Sequence, residues 1–103
     1  MSLNMESLIL GWAGDRGILS NGTVSGQMEK LQEELDELKL AIAESNQDEI
    51  LDAIGDMQVV LIILAQMQGM SAYKALMSAY GVIAKRTGKM VDGVFVKDTD
   101  EES

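Results

Sequence analysis

The 103-residue sequence contains no cysteine, no histidine and no proline. The lack of cysteine excludes disulfides and thiolate metal sites, and the lack of histidine removes the other preferred ligand of Zn²⁺. A bound metal must therefore be held by oxygen, which favours Mg²⁺, Mn²⁺ or Ca²⁺. The lack of proline is compatible with long, uninterrupted helices. Aromatic residues make up only 4% of the chain, so aliphatic and methionine side chains must fill the core.

Positive charge is also scarce, because 8 Lys and Arg residues face 17 Asp and Glu residues, for a net charge of −9. A polymeric nucleic acid needs a basic surface, so this balance argues against such a partner. A single nucleotide remains compatible, since a divalent cation inverts the local field. The sequence contains no P-loop motif and no Cys–His nucleophile pair. A metal-activated water is therefore the best-supported nucleophile.

Long apolar runs are missing as well. The longest, residues 59–65, is far too short to cross a bilayer. The apolar residues 8–10 have no basic residue ahead of them, unlike a secretory signal. We therefore expect one cytoplasmic domain over residues 1–103 with no membrane partner, and a disordered acidic end over residues 98–103.

Apolar spacing and capping residues predict four helices and make the chain all-α. Gly17 and Gly69 end the first and third helices, turn residues at 19–24 form a loop, and Asp92-Gly93 predicts a tight turn or short hairpin. The predicted helices are about 5–15, about 25–44 with Ser25 as N-cap, about 46–68 with Asn46 or Asp48 as N-cap, and about 71–88 with Ser71 as N-cap.

The third predicted helix is apolar around nearly its whole circumference. A helix of this kind is buried on all sides. Three companion helices in one small chain cannot cover it completely, so a second subunit is the natural cover. The expected architecture is a four-helix bundle completed by homo-oligomerisation.

Acidic residues form the main constellation that carries chemistry. At about 100° per residue, Glu34 and Glu37 border the apolar face of the second helix, while Glu29, Glu33 and Asp36 point toward solvent. Glu49, Asp52 and Asp56 share one face of the third helix by their spacing of 3 and 4. No Lys or Arg lies on that helix to neutralise them. A divalent cation shared by the two helices is the economical compensation for these charges, with Mg²⁺ the expected ion.

Simpler interpretations exist for each part. The acids of the second helix are compatible with a solvated face, and Asp52 and Asp56 with a wet gap or with pairing to Lys30, Lys85 or Arg86. A carboxylate-bridged di-iron bundle needs Glu-x-x-His motifs, which this chain cannot supply. Lys85, Arg86 and Lys89 end the fourth predicted helix, where they interact with its dipole or clamp a phosphate. Trp12 is either a core residue or a ligand contact.

Several segments resemble the MazG-like all-α nucleoside triphosphate pyrophosphohydrolases. Residues 30–38 resemble the Glu-x-x-Glu helix of that superfamily, and residues 52–61 resemble its second acidic helix. Residues 10–19 and 86–97 are similar to compact single-domain members from phages and mobile elements. The second motif departs from the usual Glu-x-x-Asp, because position 53 is Ala. Asp52 takes the place of that Glu, or Glu49 and Asp52 form the motif one turn upstream.

The resemblance implies Mg²⁺-dependent hydrolysis between the α and β phosphates of a nucleoside or deoxynucleoside triphosphate. It also implies a homodimer or dimer of dimers and a housecleaning role in the nucleotide pool. Because the donors are oxygen atoms, we expect that Mn²⁺ can substitute for Mg²⁺. The base is expected near Trp12, Ile18 and Asn21.

Each polar residue then takes an expected role. Glu34, Glu37, Asp52 and Asp56 bind the metal, with Glu49 as a fifth candidate. Glu33 or Glu37 takes the proton of the attacking water. The leaving pyrophosphate is stabilised by Lys30, Lys85 or Arg86. Two alternatives remain: phosphoribosyl-ATP pyrophosphohydrolase activity, and a non-catalytic helical oligomer that binds a partner.

Overall fold

A computed structural model describes the chain from residue 4 to residue 98. Most of these residues are helical, which confirms the all-α class, and one two-stranded sheet is added. The elements are α1 (Met5–Asp15), α2 (Ile18–Asn21), α3 (Val24–Ala43), α4 (Gln47–Met67), α5 (Ala72–Ile83), β1 (Gly88–Val91) and β2 (Val94–Lys97). Of the end predicted to be disordered, residues 99–103 lie outside the described residues.

The first helix has the predicted bounds. Asn4 caps α1 by accepting a hydrogen bond of 2.7 Å from the Ser7 N–H. Gly17 ends it with φ of +79°, a left-handed conformation that glycine adopts without strain. The predicted loop at 19–24 is wrong in its first half, because one helical turn forms there. That turn is closed by the Gly22 N–H, which donates to the Ile18 carbonyl at 2.8 Å.

The two longest helices, α3 and α4, form an αα-hairpin. Thr23, rather than the predicted Ser25, caps α3, because its hydroxyl accepts from the Gly26 N–H at 2.9 Å. Asn46 caps α4, as predicted, by accepting from the Glu49 N–H at 3.2 Å. Between them the chain reverses through Ser45, whose φ is +55°. This short connection places the acidic stretches of α3 and α4 side by side.

The core between the helices is built largely from small residues. Its apolar members are Ala13, Ala41, Ala53, Val60 and Ile63. Side chains as small as alanine let helix backbones approach closely. As expected for a single chain, the third predicted helix is not covered on all sides. Leu51, Ile54 and Leu61 on α4 remain 73%, 47% and 48% exposed, because the neighbouring helices cover only the opposite side.

Residues up to Tyr73 form one compact unit and residues from Lys74 onward form another. In the second unit, α5 ends at Ile83 and not near Gly88, because residue 88 already pairs with β2. The predicted hairpin is confirmed: β1 and β2 are antiparallel, and Asp92 and Gly93 form the turn with φ of +50° and +83°. Asp98, predicted to be disordered, accepts a hydrogen bond of 2.7 Å from the Thr87 hydroxyl. The single domain and the four-helix bundle stay predictions.

Helix α4 has the length and apolar composition of a membrane-crossing segment. The core helix of a soluble protein has the same length and composition, so these two properties do not distinguish the two cases. Three aspartates, Asp48, Asp52 and Asp56, lie within that helix.

Candidate active site

Among residues 4–98, Glu34 is the buried ionisable side chain. Its residue is only 3% exposed, and one carboxylate oxygen, Oε2, lies 3.4 Å from the Lys30 ammonium. Within the part of the chain that the structure describes, the other oxygen, Oε1, is buried without a hydrogen-bond partner. An unsatisfied buried oxygen of this kind destabilises the fold by about 1–3 kcal/mol or more when it is charged. The arrangement therefore leaves a coordination position open on a carboxylate in the middle of the helix pair.

Lys30 neutralises the Glu34 carboxylate only in part, because it is half exposed and also lies near Glu33. Its side chain is 52% exposed, and its ammonium also lies 3.9 Å from Glu33. The hydrogen bond and the charge of Glu34 raise the pKa of Lys30 above its usual value. Lys30, predicted to bind phosphate, is thus held beside the acids of α3.

Glu37 lies one turn beyond Glu34 and is exposed. The negative charge of Glu34 is the main cause that raises the pKa of Glu37, followed by partial loss of hydration. Lys30 opposes this shift, while Glu49 and Asp56 of α4 add to it. The two helices therefore bring Glu34, Glu37, Glu49 and Asp56 into one electrostatic group.

This shift predicts how the metal-free protein responds to pH. A carboxyl with a raised folded pKa stabilises the folded state below its unfolded pKa, near 4.5, and this contribution is lost as pH rises through the folded pKa. Glu37→Gln cannot ionise, so it is expected to raise the urea midpoint in EDTA at about pH 7 and to leave it unchanged at about pH 4. Equal midpoints for the variant and the unmutated protein at both pH values would contradict the proximity of these acids.

The acids fit an oxygen-bound cation by chemistry, although the side chains do not converge on one. No group of three or more acidic side chains among residues 4–98 is arranged to hold an ion. The donor set consists of carboxylates, and the partnerless Glu34 Oε1 is an oxygen that a cation satisfies. Asp52 is exposed on α4, and its role, like that of Glu49, stays a prediction.

A cleft of about 400 Å³ opens beside the acids in the first unit. It brings together four residues with predicted roles, and Gly22, Gly26 and Gln27 also line it. The four are Trp12, Ile18, Lys30 and Glu33. Asn21, predicted to bind the base, does not line this cleft and instead donates to the Ser20 hydroxyl at 3.2 Å. Lys85 and Arg86 belong to the second unit, so their phosphate-binding role stays a prediction.

A second cleft of about 350 Å³ lies between α1 and α4. Four apolar side chains line it, with Asp56 as the one acid among its lining residues. Trp12 and Val59 line both clefts, so the two openings meet along these side chains. An apolar wall next to a carboxylate suits a flat ring joined to a charged group.

Sequence reasoning missed Arg16 and the glycines of the first cleft. The Arg16 guanidinium lies 6.0 Å from the centre of the Trp12 ring, at the helical spacing i, i+4 that was available as a signal. A side chain at Gly22 would collide with the Ile18 carbonyl oxygen. No local pattern reveals that collision, because it depends on the single turn of α2.

Comparison with known proteins matches the central helices. The model of a phosphoribosyl-ATP pyrophosphohydrolase family matches residues 19–79. This range includes all the candidate acids of α3 and α4 and excludes Trp12, Ile18, Lys85 and Arg86. An uncharacterised 18.2 kDa protein from the rep-hol intergenic region of Haemophilus phage HP1 (strain HP1c1) is 44% identical over 55 residues. The match spans 53% of this chain and only 34% of the phage protein. No solved structure matches the chain.

Proposed function

The chain belongs to the phosphoribosyl-ATP pyrophosphohydrolase family, and on that premise we propose that it hydrolyses nucleoside triphosphates to monophosphate and pyrophosphate. This is the reaction of the MazG-like branch that the sequence resembles. The biological role that we propose with it is removal of noncanonical or surplus nucleotides in the cytoplasm.

The observation that supports this proposal most directly is that Glu34 is buried and that one of its carboxylate oxygens lacks a hydrogen-bond partner among the described residues. A carboxylate that is 3% exposed, with one oxygen unpartnered among the described residues, destabilises the apo fold. A loss of stability of this kind is expected where function requires the group. Glu37, Glu49 and Asp56 interact with the same region, so extra positive charge there relieves several repulsions at once.

We propose that Glu34, Glu37, Asp52 and Asp56 hold Mg²⁺, with Glu49 as a further candidate and Mn²⁺ as a substitute. When bound, the ion supplies charge neutralisation for the triphosphate and acidity for a water. The carboxylate that remains unligated, Glu33 or Glu37, accepts the proton of the attacking water.

The other residues of the clefts bind and orient the substrate. Lys30, which lies beside Glu34, binds the phosphate oxygens. The same role for Lys85 and Arg86 stays a prediction from the sequence. Trp12 and Ile18 pack against the base, and Asn21 lies in the same turn of chain. Because the clefts are mostly apolar, they exclude water from the base while the phosphates reach the polar edge.

A substrate screen tests this proposal. The protein is incubated with each of the common NTPs and dNTPs, and with phosphoribosyl-ATP, in Mg²⁺ and in EDTA. We expect equal amounts of pyrophosphate and nucleoside monophosphate from at least one triphosphate, only in Mg²⁺. Turnover of phosphoribosyl-ATP alone would support the alternative substrate. Lack of turnover of all substrates, without detectable metal binding, would support a non-catalytic helical oligomer.

We also propose a homodimer or a dimer of dimers. Leu51, Ile54 and Leu61 are spaced by 3 and 7 residues and form an exposed apolar stripe on α4. Stripes of this kind in helical proteins are covered by a partner helix.

The stripe makes a specific prediction about assembly. The unmutated protein is expected to have at least twice the monomer mass by light scattering at micromolar concentration. Leu61→Glu places a charge in the stripe and is expected to shift the mass toward the monomer, whereas Leu61→Met keeps an apolar side chain and should not. A monomeric mass for the unmutated protein would exclude the oligomer.

A further inference from the structure

Glu6 makes the polar contacts that join the start of α1 to the chain after α4. The Ser71 hydroxyl donates to both Glu6 carboxylate oxygens, at 3.1 and 3.0 Å, and the Tyr73 N–H donates to Oε2 at 3.1 Å. Glu6 and Ser71 are 65 residues apart in sequence. Hydrogen bonds to a charged, half-buried carboxylate are stronger than those between neutral groups.

Beyond these hydrogen bonds, α1 packs against α2 and α4 with few buried side chains. It has 11 residues, includes Gly11 and Gly14, and buries only Ala13. A helix of this length and composition is marginal by itself in water. Met5 and Leu8 in its first half are 67% and 49% exposed, so apolar packing fixes that half weakly. The position of α1 therefore depends on its two anchors, Ala13 near one end and Glu6 near the other.

Helix α1 also supplies one wall of the candidate site. Leu8, Ile9 and Trp12 line the cleft that contains Asp56, and Trp12 lines the larger cleft as well. Movement of the first half of α1 widens or narrows the space beside Asp56. The acids proposed as metal ligands lie on α3 and α4 and do not move with this helix.

We infer that Glu6 is a positioning residue, which fixes α1 so that Trp12 and its neighbours form the nucleotide-binding wall. This role rests on the proposed function. Because Glu6 acts through α1 and not on the acids, its loss affects binding of the nucleotide more than the chemical step.

Steady-state kinetics and Trp12 fluorescence test this inference together, because Trp12 is the sole tryptophan. Glu6→Ala is expected to raise KM by about 3- to 10-fold, as expected from lost charge-assisted hydrogen bonds, with kcat changed less than about 2-fold. The Trp12 emission of the nucleotide-free variant should shift to the red as the ring becomes more exposed. Glu6→Gln keeps an acceptor oxygen without the charge, so its KM and emission should lie between those of the other two proteins.

Two further variants keep the result interpretable. Glu44→Ala removes an exposed acid at the end of α3 and should match the unmutated protein in KM and emission. Ser71→Ala removes the hydroxyl that donates to Glu6 and should change KM and Trp12 emission in the same direction as Glu6→Ala. It therefore serves as the test variant if Glu6→Ala folds poorly.

The possible results distinguish failure of the proposed role of Glu6 from failure of the proposed enzyme activity. Unchanged Trp12 emission and KM in Glu6→Ala and Ser71→Ala, with an active unmutated protein, would overturn the role of Glu6. A lower kcat together with a lower stability, without an emission shift, would also overturn this role, because that combination indicates a purely structural contact. If the unmutated protein hydrolyses no triphosphate, the proposed function fails, and the emission shift alone decides whether Glu6 fixes α1.

Discussion

Asp56→Asn is expected to reduce pyrophosphate release by at least about 100-fold, because loss of a ligand charge removes several kcal/mol of transition-state stabilisation. The variant keeps the size and shape of the side chain but lacks its charge. Asp56 is the one acid among the lining residues of the second cleft, so it joins the acidic group to the apolar wall of that cleft. Initial rates with the best triphosphate in saturating Mg²⁺ measure the effect.

The control for this variant is Asp36→Asn on the outer side of α3. Asp36 is exposed and accepts a hydrogen bond of 3.0 Å from Gln32, away from both clefts. The same chemical change there should leave the rate within about 2-fold, as for other surface substitutions. Near-native activity of Asp56→Asn would show that Asp56 is not a ligand.

Asp56→Asn is expected to keep or increase the stability of the metal-free fold. Asp56 contributes to the repulsion that raises the pKa of Glu37, and α4 carries no basic residue to offset it. Removing one of two interacting negative charges relieves that repulsion. A variant that is inactive and at least as stable as the unmutated protein is the expected signature of a functional acid.

Mg²⁺ is expected to stabilise the unmutated protein in a saturable manner. A ligand that binds only the native state adds RT ln(1 + [L]/Kd), so Mg²⁺ at ~100 times Kd should add roughly 2.7 kcal/mol per site. The physical reason is the group of acids on α3 and α4, together with the unpartnered Oε1 of Glu34 in the described chain. Thermal melts over a Mg²⁺ series measure this effect in the absence of nucleotide.

Screening of the net charge of −9 also stabilises the fold, so NaCl at matched ionic strength is the necessary control. The Mg²⁺-specific part should disappear in the Glu37→Gln, Asp56→Asn double variant, while the screening part should remain. Equal shifts from Mg²⁺ and NaCl in the unmutated protein would mean that these acids are only a solvated face. The enzyme proposal would then lose its main physical support.

The sequence by itself determined where most helices and the hairpin lie, because those signals are local. Gly17 and Asn46 mark helix ends by properties of their own backbones and side chains. Asp92-Gly93 determines the hairpin turn in the same manner, since both residues adopt positive φ. The acidic stripes of the two long helices also follow from spacing alone.

Local sequence signals were insufficient where two nearby helix boundaries were both compatible with the sequence. Thr23 and Ser25 are both good N-caps, and the choice between them depends on which hydroxyl meets a free N–H. Strand pairing at residue 88 excludes the predicted end of α5 near that residue, because a residue cannot continue a helix and join a ladder at the same time.

Only the tertiary structure decided how deeply each acid is buried and which groups lie beside it. Spacing placed Glu34 and Glu37 alike at the edge of the core, but Glu34 is buried and Glu37 is exposed. That difference arises from how closely α4 packs against each turn of α3. The Glu6–Ser71 contact and the clefts beside Trp12 likewise depend on segments distant in sequence. Periodicity describes one helix at a time, whereas burial, cavities and long-range hydrogen bonds are properties of helices packed together.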